Sequence, residues 1–74
     1  MKRRLEMKEI QIKDEYIKLF KLLKYANLVS SGGEAKFLIE EGLVKVNNII
    51  EKQKGKKIYK NDIIEFNEER ILVK

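Results

Sequence analysis

The chain contains no cysteine and no histidine. It therefore forms no disulfide bond and no zinc site of the Cys/His type. No apolar run approaches the ~20 residues that a membrane-spanning helix requires, and no apolar signal-peptide segment follows the basic start MKRRLEMKEI. We expect a cytoplasmic protein that uses no metal or cofactor and does not associate with membranes.

The length of 74 residues corresponds to one small domain. A chain of this size buries only about 60% of its unfolded surface, but 43% hydrophobic residues are sufficient for one compact core. Residues 1–7 show no periodicity. We expect them to be a flexible basic tail, which leaves residues 8–74 as the single domain.

Positive charge is concentrated in the window from Lys52 to Lys60 (KQKGKKIYK). It holds five lysines and no acidic residue, whereas basic and acidic side chains balance in the rest of the chain, so the window supplies the whole net charge of +5. Such a patch favours a polyanionic partner, although a solvated loop has the same composition. Tyr59 in this window either stacks on a base or, as we favour, packs at a sheet edge.

The first half of the chain is predicted to form a strand and a helix. Glu9–Lys13 alternates polar and apolar residues, which is typical of a half-buried strand. Apolar residues then recur at helical spacing over Ile17–Ala26. Asp14 is a candidate N-cap, although the helix could begin as late as Lys18, and Asn27 is expected to end it.

A second helix is predicted between Ser31 and Gly42. Ser31 can cap it, with Glu34 three residues later as a capping box requires, and Gly42 is placed to stop it. Gly32 and Gly33 are poor helix formers in its first turn. Either they allow close approach of another backbone or a phosphate, or they form a flexible turn.

After Gly42 the pattern changes to period two, with Val44 and Val46 on one face and Lys45 on the other. Asn47-Asn48 is typical of a tight turn, because asparagine tolerates positive φ. The order predicts an α+β domain in which two helices pack against a small curled antiparallel sheet. The remaining predicted strands are Ile49-Ile50, Lys57–Tyr59, Ile63–Phe66 and Ile71–Val73.

The run from Leu22 to Asn48 (LLKYANLVSSGGEAKFLIEEGLVKVNN) resembles the core of the S4 RNA-binding domain, also called the alpha-L RNA-binding motif. The shared pattern is a leucine-rich first helix, Ser-x-x-x-Ala opening the second, Leu-Ile and a glycine closing it, and Val-x-Val-Asn leading into a hairpin. The segment Asn61–Ile64 is similar to the family's later Gly-Asp-x-Ile turn, with asparagine in place of glycine. The resemblance covers residues 9–74.

One departure narrows the resemblance. Many S4 domains carry Ser-Arg where this chain has Ser31-Gly32, and the usual arginine contact is therefore missing. Small stand-alone bacterial S4 proteins of the YaaA type share the Ser-Gly-Gly-x-Ala-Lys run and the basic loop around Gly55. The resemblance implies binding to structured ribosomal RNA or a ribosome precursor. We expect a monomer that takes no small-molecule substrate, although the sequence leaves the oligomeric state open.

A surface for RNA can also be argued from charge. The major groove of an A-form helix is too deep for side chains to read, so proteins recognise its shape, phosphates and 2′-hydroxyls. We expect Lys36, Lys45 and the lysine window to form one patch, and exposure on a helix to explain Lys18, Lys21 and Lys24. The candidate RNA-contacting residues are Ser31, Gly32, Gly33, Lys36, Lys45, Asn47, Lys54, Lys56 and Lys57.

The sequence also bears on three other classes of protein. An enzyme is disfavoured, because the chain lacks histidine, cysteine, a P-loop and a paired-carboxylate motif. A helix-turn-helix DNA-binding protein is possible over Leu19–Ile39, but Glu34, Glu40 and Glu41 on its second helix suit the major groove poorly. A ribosome-docking adaptor that contacts mainly protein stays open.

Overall fold

A computed structural model describes residues 6–74, so residues 1–5 of the predicted tail lie outside the described residues. In chain order the elements are β1 (Glu6–Ile10), β2 (Tyr16–Lys18), α1 (Leu19–Tyr25), α2 (Gly32–Glu40), β3 (Val44–Val46), β4 (Ile49–Ile50), β5 (Lys57–Tyr59), β6 (Ile63–Phe66) and β7 (Glu69–Val73). The predicted α+β class with two helices is confirmed.

The strands form two sheets. Five strands pair in the order β1-β7-β6-β3-β4, and β2 pairs with β5 in a separate antiparallel ribbon. The β4-β3-β6-β7 portion is antiparallel, as predicted. β1 runs parallel to β7, so the larger sheet is mixed. This arrangement is possible because the whole domain lies between the two strands and serves as their connection.

β1 begins earlier than the predicted strand Glu9–Lys13 and ends at Ile10. Its bounds follow from its register along β7, from Glu6 opposite Glu69 to Ile10 opposite Val73. It therefore includes residues 6 and 7, which the sequence had assigned to the tail. These bounds are set by pairing with a distant strand. The alternation of residues within the segment does not indicate that pairing.

The buried apolar residues form one cluster that joins both helices, the larger sheet and the ribbon. Val44 and Val46 point into it, so Lys45 between them points to the opposite face of the sheet. Ile58 attaches the ribbon to the cluster. Its members are Leu19, Leu22, Leu23, Val29, Ala35, Ile39, Val44, Val46, Ile58, Ile64, Ile71 and Val73.

Both helices end where predicted. Asn27 after α1 and Gly42 after α2 adopt left-handed conformations, with φ of 61° and 79°. In each case the two N–H groups after the C-cap return to carbonyls of the last turn, which is the Schellman arrangement. The Asn47-Asn48 turn is also confirmed, with φ of 52° and 73°.

The start of α1 differs from the prediction. Its N-cap is Lys18, and Asp14 does not cap it. Tyr16 and Ile17 precede the helix in β2, where they pair with Tyr59 and Ile58. The apolar residue at position 17 fits a helical stripe equally well, so periodicity extended the helix into the strand.

Candidate nucleic-acid interface

The backbone of residues 52–57, which we call the lysine loop, is attached to the N-terminus of α1. Carbonyl oxygens of Lys56 and Lys54 accept hydrogen bonds from the N–H groups of Leu19 (2.9 Å) and Phe20 (3.2 Å). The first N–H groups of a helix have no partner within it, and Lys18 at the N-cap supplies no side-chain acceptor. The lysine loop therefore caps α1, and its lysine side chains are exposed.

Phe20 connects the lysine loop to α2. Its N–H is bound to the loop at Lys54, and its ring lies 4.7 Å from the Nζ atom of Lys36. A cation–π contact at an exposed site contributes about 0.5–1 kcal/mol. One side chain of α1 thus holds Lys36 beside the lysine loop.

An acidic residue lies within this basic region. The Nζ atom of Lys54 donates to Oε2 of Glu40 at 2.9 Å, and the two side chains are 51% and 53% exposed. A pair of this exposure contributes about 0–1 kcal/mol to folding. Glu40 therefore neutralises Lys54 at little gain in stability, and a phosphate that binds Lys54 must compete with it.

We expect Glu40→Gln to raise the affinity for structured RNA about 2–5-fold at low salt, with a stability change below about 1 kcal/mol. Titration of a labelled RNA hairpin measures the affinity. Glu9→Gln is the matched control, because it breaks the Lys74–Glu9 pair, which has similar exposure and a 3.0 Å separation. An equal rise in both variants would mean that only net charge matters.

A side chain caps one N–H group at the N-terminus of α2. Oγ of Ser31 accepts the N–H of Glu34 at 3.1 Å, which confirms the predicted cap. The Glu34 carboxylate accepts the N–H (3.0 Å) and hydroxyl (2.9 Å) of Ser30, one residue before the N-cap. These bonds hold the pKa of Glu34 below its usual value. Their contribution is present above the unfolded-state pKa and is lost as pH falls through the lowered folded-state pKa.

Gly32 and Gly33 lie inside α2, so the flexible-turn explanation is wrong. Neither has a positive φ. An added Cβ would lie 3.8 Å from the ring of Phe20 at Gly32 and 3.9 Å from Oγ of Ser31 at Gly33, which are ordinary contacts. Within the described residues, the fold therefore does not require glycine at either position.

A shallow groove runs along α1 to the start of α2. Its lining includes Phe20, Lys21, Lys24 and Gly32. Neither Lys21 nor Lys24 was among the predicted site residues, because exposure on a helix is sufficient to explain both. We define the helix–loop surface as Lys21, Lys24, Gly32, Gly33, Lys36 and the lysine loop.

Lys45 does not join the helix–loop surface. It lies on the sheet face that points away from the buried cluster, opposite Glu65 on β6 and Ile50 on β4. The alternation of β3 explains this placement, because both neighbouring valines are buried. Contact between Lys45 and RNA stays a prediction.

Asn47 forms hydrogen bonds within the fold. Its Nδ2 donates to Asp62 at 3.1 Å, and its Oδ1 accepts the N–H of Ile63 at 3.0 Å. Its own N–H donates to the carbonyl of Ile63 at 2.8 Å. The side chain thus ties the hairpin turn to β6, and no structural feature assigns it to RNA.

Asn47→Ala should destabilise the domain by about 1–3 kcal/mol, because it removes two hydrogen bonds and places alanine at positive φ. Urea denaturation measures the loss. Asn48→Ala is the control, because it shares the turn and the positive φ but forms no comparable side-chain bonds to β6 in the described structure. Equal losses in both variants would contradict the proposed role of Asn47.

Residues 6–74 show neither a metal site nor a membrane-spanning helix. No group of acidic, histidine or cysteine side chains there is arranged to hold a metal ion. No helix in the described part of the chain is long and apolar enough to cross a membrane.

Comparison with known proteins identifies the family. A sequence model described as "S4 domain" matches residues 10–74. The chain belongs to the S4 domain family. This confirms the family suggested by the Leu22–Asn48 pattern and places nearly the whole domain within it.

The chain is also similar to three individual proteins. "Probable ribosome maturation protein RlbA" of Bacillus subtilis (strain 168) is 39% identical over 57 residues, which cover 77% of this chain and 80% of that protein. The solution structure of YbcJ from E. coli, described as revealing an AlfaL motif involved in RNA binding, aligns with a TM-score of 0.71 and 31% identity over 99% of this chain and 94% of YbcJ.

The third relative is the 30S ribosomal protein S4e of Thermoplasma acidophilum. It aligns with a TM-score of 0.65 and 30% identity over 78% of this chain. The chain spans only 31% of S4e. The S4-like fold is therefore found both in a protein of this chain's size and as part of a larger ribosomal protein.

Proposed function

We propose that this protein binds structured ribosomal RNA, or a ribosome precursor, in the cytoplasm as a non-catalytic monomer. Membership of the S4 domain family and the RNA-binding motif named for YbcJ support RNA as the partner. The names of RlbA and S4e support a partner from the ribosome or its precursor.

The observation that carries the proposal is the position of Phe20 between two groups of lysines. Its N–H binds the lysine loop and its ring contacts Lys36, so cations from distant parts of the sequence lie on one surface. Cations grouped in this way suit an A-form helix, whose phosphates are regularly spaced and whose bases are inaccessible in the deep groove. The surface thus recognises charge and shape.

The two glycines support a phosphate at the start of α2. Since neither backbone conformation nor space within the described residues requires glycine there, an approach from outside is the remaining explanation from the sequence analysis. We propose that Gly32 and Gly33 let a phosphate reach the helix N-terminus, beside Ser31. Lys21, Lys24 and Lys36 then supply the surrounding charge.

Binding to RNA and DNA of the same sequence tests this function. A hairpin RNA and the corresponding DNA hairpin are titrated with the protein at one salt concentration. We expect tighter binding to the A-form RNA, because duplex DNA presents different phosphate spacing and lacks the 2′-hydroxyl. Equal or tighter binding to the DNA would contradict the proposal and favour the helix-turn-helix alternative.

A further inference from the structure

The outer face of the β2–β5 ribbon carries two tyrosines and two lysines. Tyr16 lies opposite Tyr59, and Lys18 lies opposite Lys57. These four residues, which we call the ribbon face, share one side because strand side chains alternate, and the isoleucines between them turn toward the core. We propose that the ribbon face binds one unpaired RNA nucleotide, with its base on Tyr59 and its phosphate between Lys18 and Lys57.

This inference rests on the proposed function and adds a single-stranded segment to the RNA. The helix–loop surface and the ribbon face meet at Lys57, which closes the lysine loop and opens β5. An RNA strand that leaves a duplex on the first surface therefore reaches the second. Asp14 lines a depression together with Tyr16 and Lys18. Its negative charge disfavours a phosphate in that depression.

The two tyrosine rings are not equivalent. Their centroids are 5.9 Å apart with an interplanar angle of 52°, and the Nζ atom of Lys57 lies 4.8 Å from the Tyr16 ring. Tyr16 is half-buried and covered, whereas Tyr59 is 43% exposed. No ammonium group in the described part of the chain covers Tyr59. Packing at a sheet edge thus explains Tyr16, and Tyr59 keeps a ring surface for a base.

The lysine pair points to an anion. Directly opposed like charges destabilise an antiparallel strand pair. Within residues 6–74 neither Lys18 nor Lys57 forms an ion pair, although Lys54 and Lys74 do. A phosphate placed between the two ammonium groups converts their repulsion into two attractions.

An exposed Tyr59 ring beside the cations of Lys18 and Lys57 favours an unpaired nucleotide. In a duplex both faces of each base are covered by its neighbours, so only an unpaired base can stack on a side chain. Alanine substitutions of such platforms cost about 1–3 kcal/mol per base and show little base preference. The ribbon face should therefore accept any of the four bases.

The test compares hairpin RNAs that share one stem. One is blunt, and the others carry a short 5′ or 3′ overhang with 2-aminopurine as the first unpaired base. We expect the wild-type protein to bind one of the overhang hairpins about 5–150-fold more tightly than the blunt hairpin. Stacking on Tyr59 should also quench the 2-aminopurine fluorescence.

Tyr59→Leu should remove both the overhang preference and the quenching but leave affinity for the blunt hairpin unchanged. Tyr59→Phe should keep them, and Lys18→Ala should reduce the preference and lower the salt slope by about 0.7. Phe37→Leu is the control, because Phe37 is 59% exposed on α2, outside both the ribbon and the groove that Lys21 and Lys24 line. Folding of each variant is checked by its thermal melt.

Two results would overturn the inference while the proposed function stands. They are equal binding of blunt and overhang hairpins by the wild-type protein, and retained preference and quenching in Tyr59→Leu. Failure of the wild-type protein to bind any of the hairpins would instead overturn both proposals. If Tyr59→Leu does not fold, the wild-type comparison of hairpins decides the matter.

Discussion

Replacing Lys54, Lys56 and Lys57 together with alanine should weaken RNA binding and flatten its dependence on salt. Each lost phosphate contact lowers the slope of log affinity against log salt by about 0.7–0.9. Three contacts amount to about 2–3 units, so between about 50 and 200 mM salt the wild-type protein should lose about 20–40-fold more affinity than the variant. Titrations of one hairpin RNA at several salt concentrations give both slopes.

The charge-matched control replaces Lys8 in β1, Lys13 after β1 and Lys74 after β7, none of which belongs to the helix–loop surface. Lys8 and Lys74 already pair with Glu69 and Glu9. Its slope should stay close to the wild-type value. An unchanged slope in the loop variant would contradict the site, and unchanged co-sedimentation of that variant with ribosomal particles would favour the protein-contacting adaptor.

Ile58→Ala should be the most damaging single truncation for the lysine loop, because Ile58 joins the ribbon to the core and is fully buried. Truncating a buried isoleucine costs about 2–5 kcal/mol. A domain of this length has a total stability of about 4–11 kcal/mol. The variant should therefore unfold at a much lower urea concentration and lose RNA affinity when it is warmed.

Urea denaturation at fixed temperature measures this effect. Ile50→Ala is the matched control, because it makes the same chemical change in a strand where the side chain is 52% exposed. Its stability should change by at most about 0.5 kcal/mol. Similar losses in the two variants would show that the ribbon is not held by Ile58.

The helices and the hairpin could be predicted because their signals are local. Ser31, Asn27, Gly42 and the Asn47-Asn48 turn act through the backbone of their own neighbourhood, and each is found as predicted. The parallel placement of β1 could not be predicted in this way. It depends on a strand at the other end of the chain.

The sequence contains a feature that indicates the β2–β5 ribbon, but the helical periodicity that includes Ile17 obscures it. The β2 sequence Tyr-Ile-Lys is the reverse of the β5 sequence Lys-Ile-Tyr, so antiparallel pairing sets identical residues opposite one another. Recognising this inverted repeat in the sequence would have separated Lys18 from the helix. It would also have placed Tyr16 beside Tyr59.

The candidate site was predictable in its residue types and less so in its arrangement. The lysine loop and Lys36 lie near each other because Phe20 contacts both, and no pattern around Phe20 indicates this. For Lys45 the exposure could be predicted, but its position on the domain could not. Alternation along β3 predicted its exposure, but the face it occupies depends on which side of the sheet the helices cover.

We propose that the protein recognises particular structured ribosomal RNA through the helix–loop surface. Crosslinking in cells, followed by sequencing of the bound RNA, tests it most directly when wild-type protein and the Lys54/Lys56/Lys57 variant are compared. We predict crosslinks concentrated at a few base-paired sites in ribosomal RNA or its precursor, and their loss in the variant. Crosslinks spread in proportion to RNA abundance, or equal in both proteins, would contradict recognition through this surface.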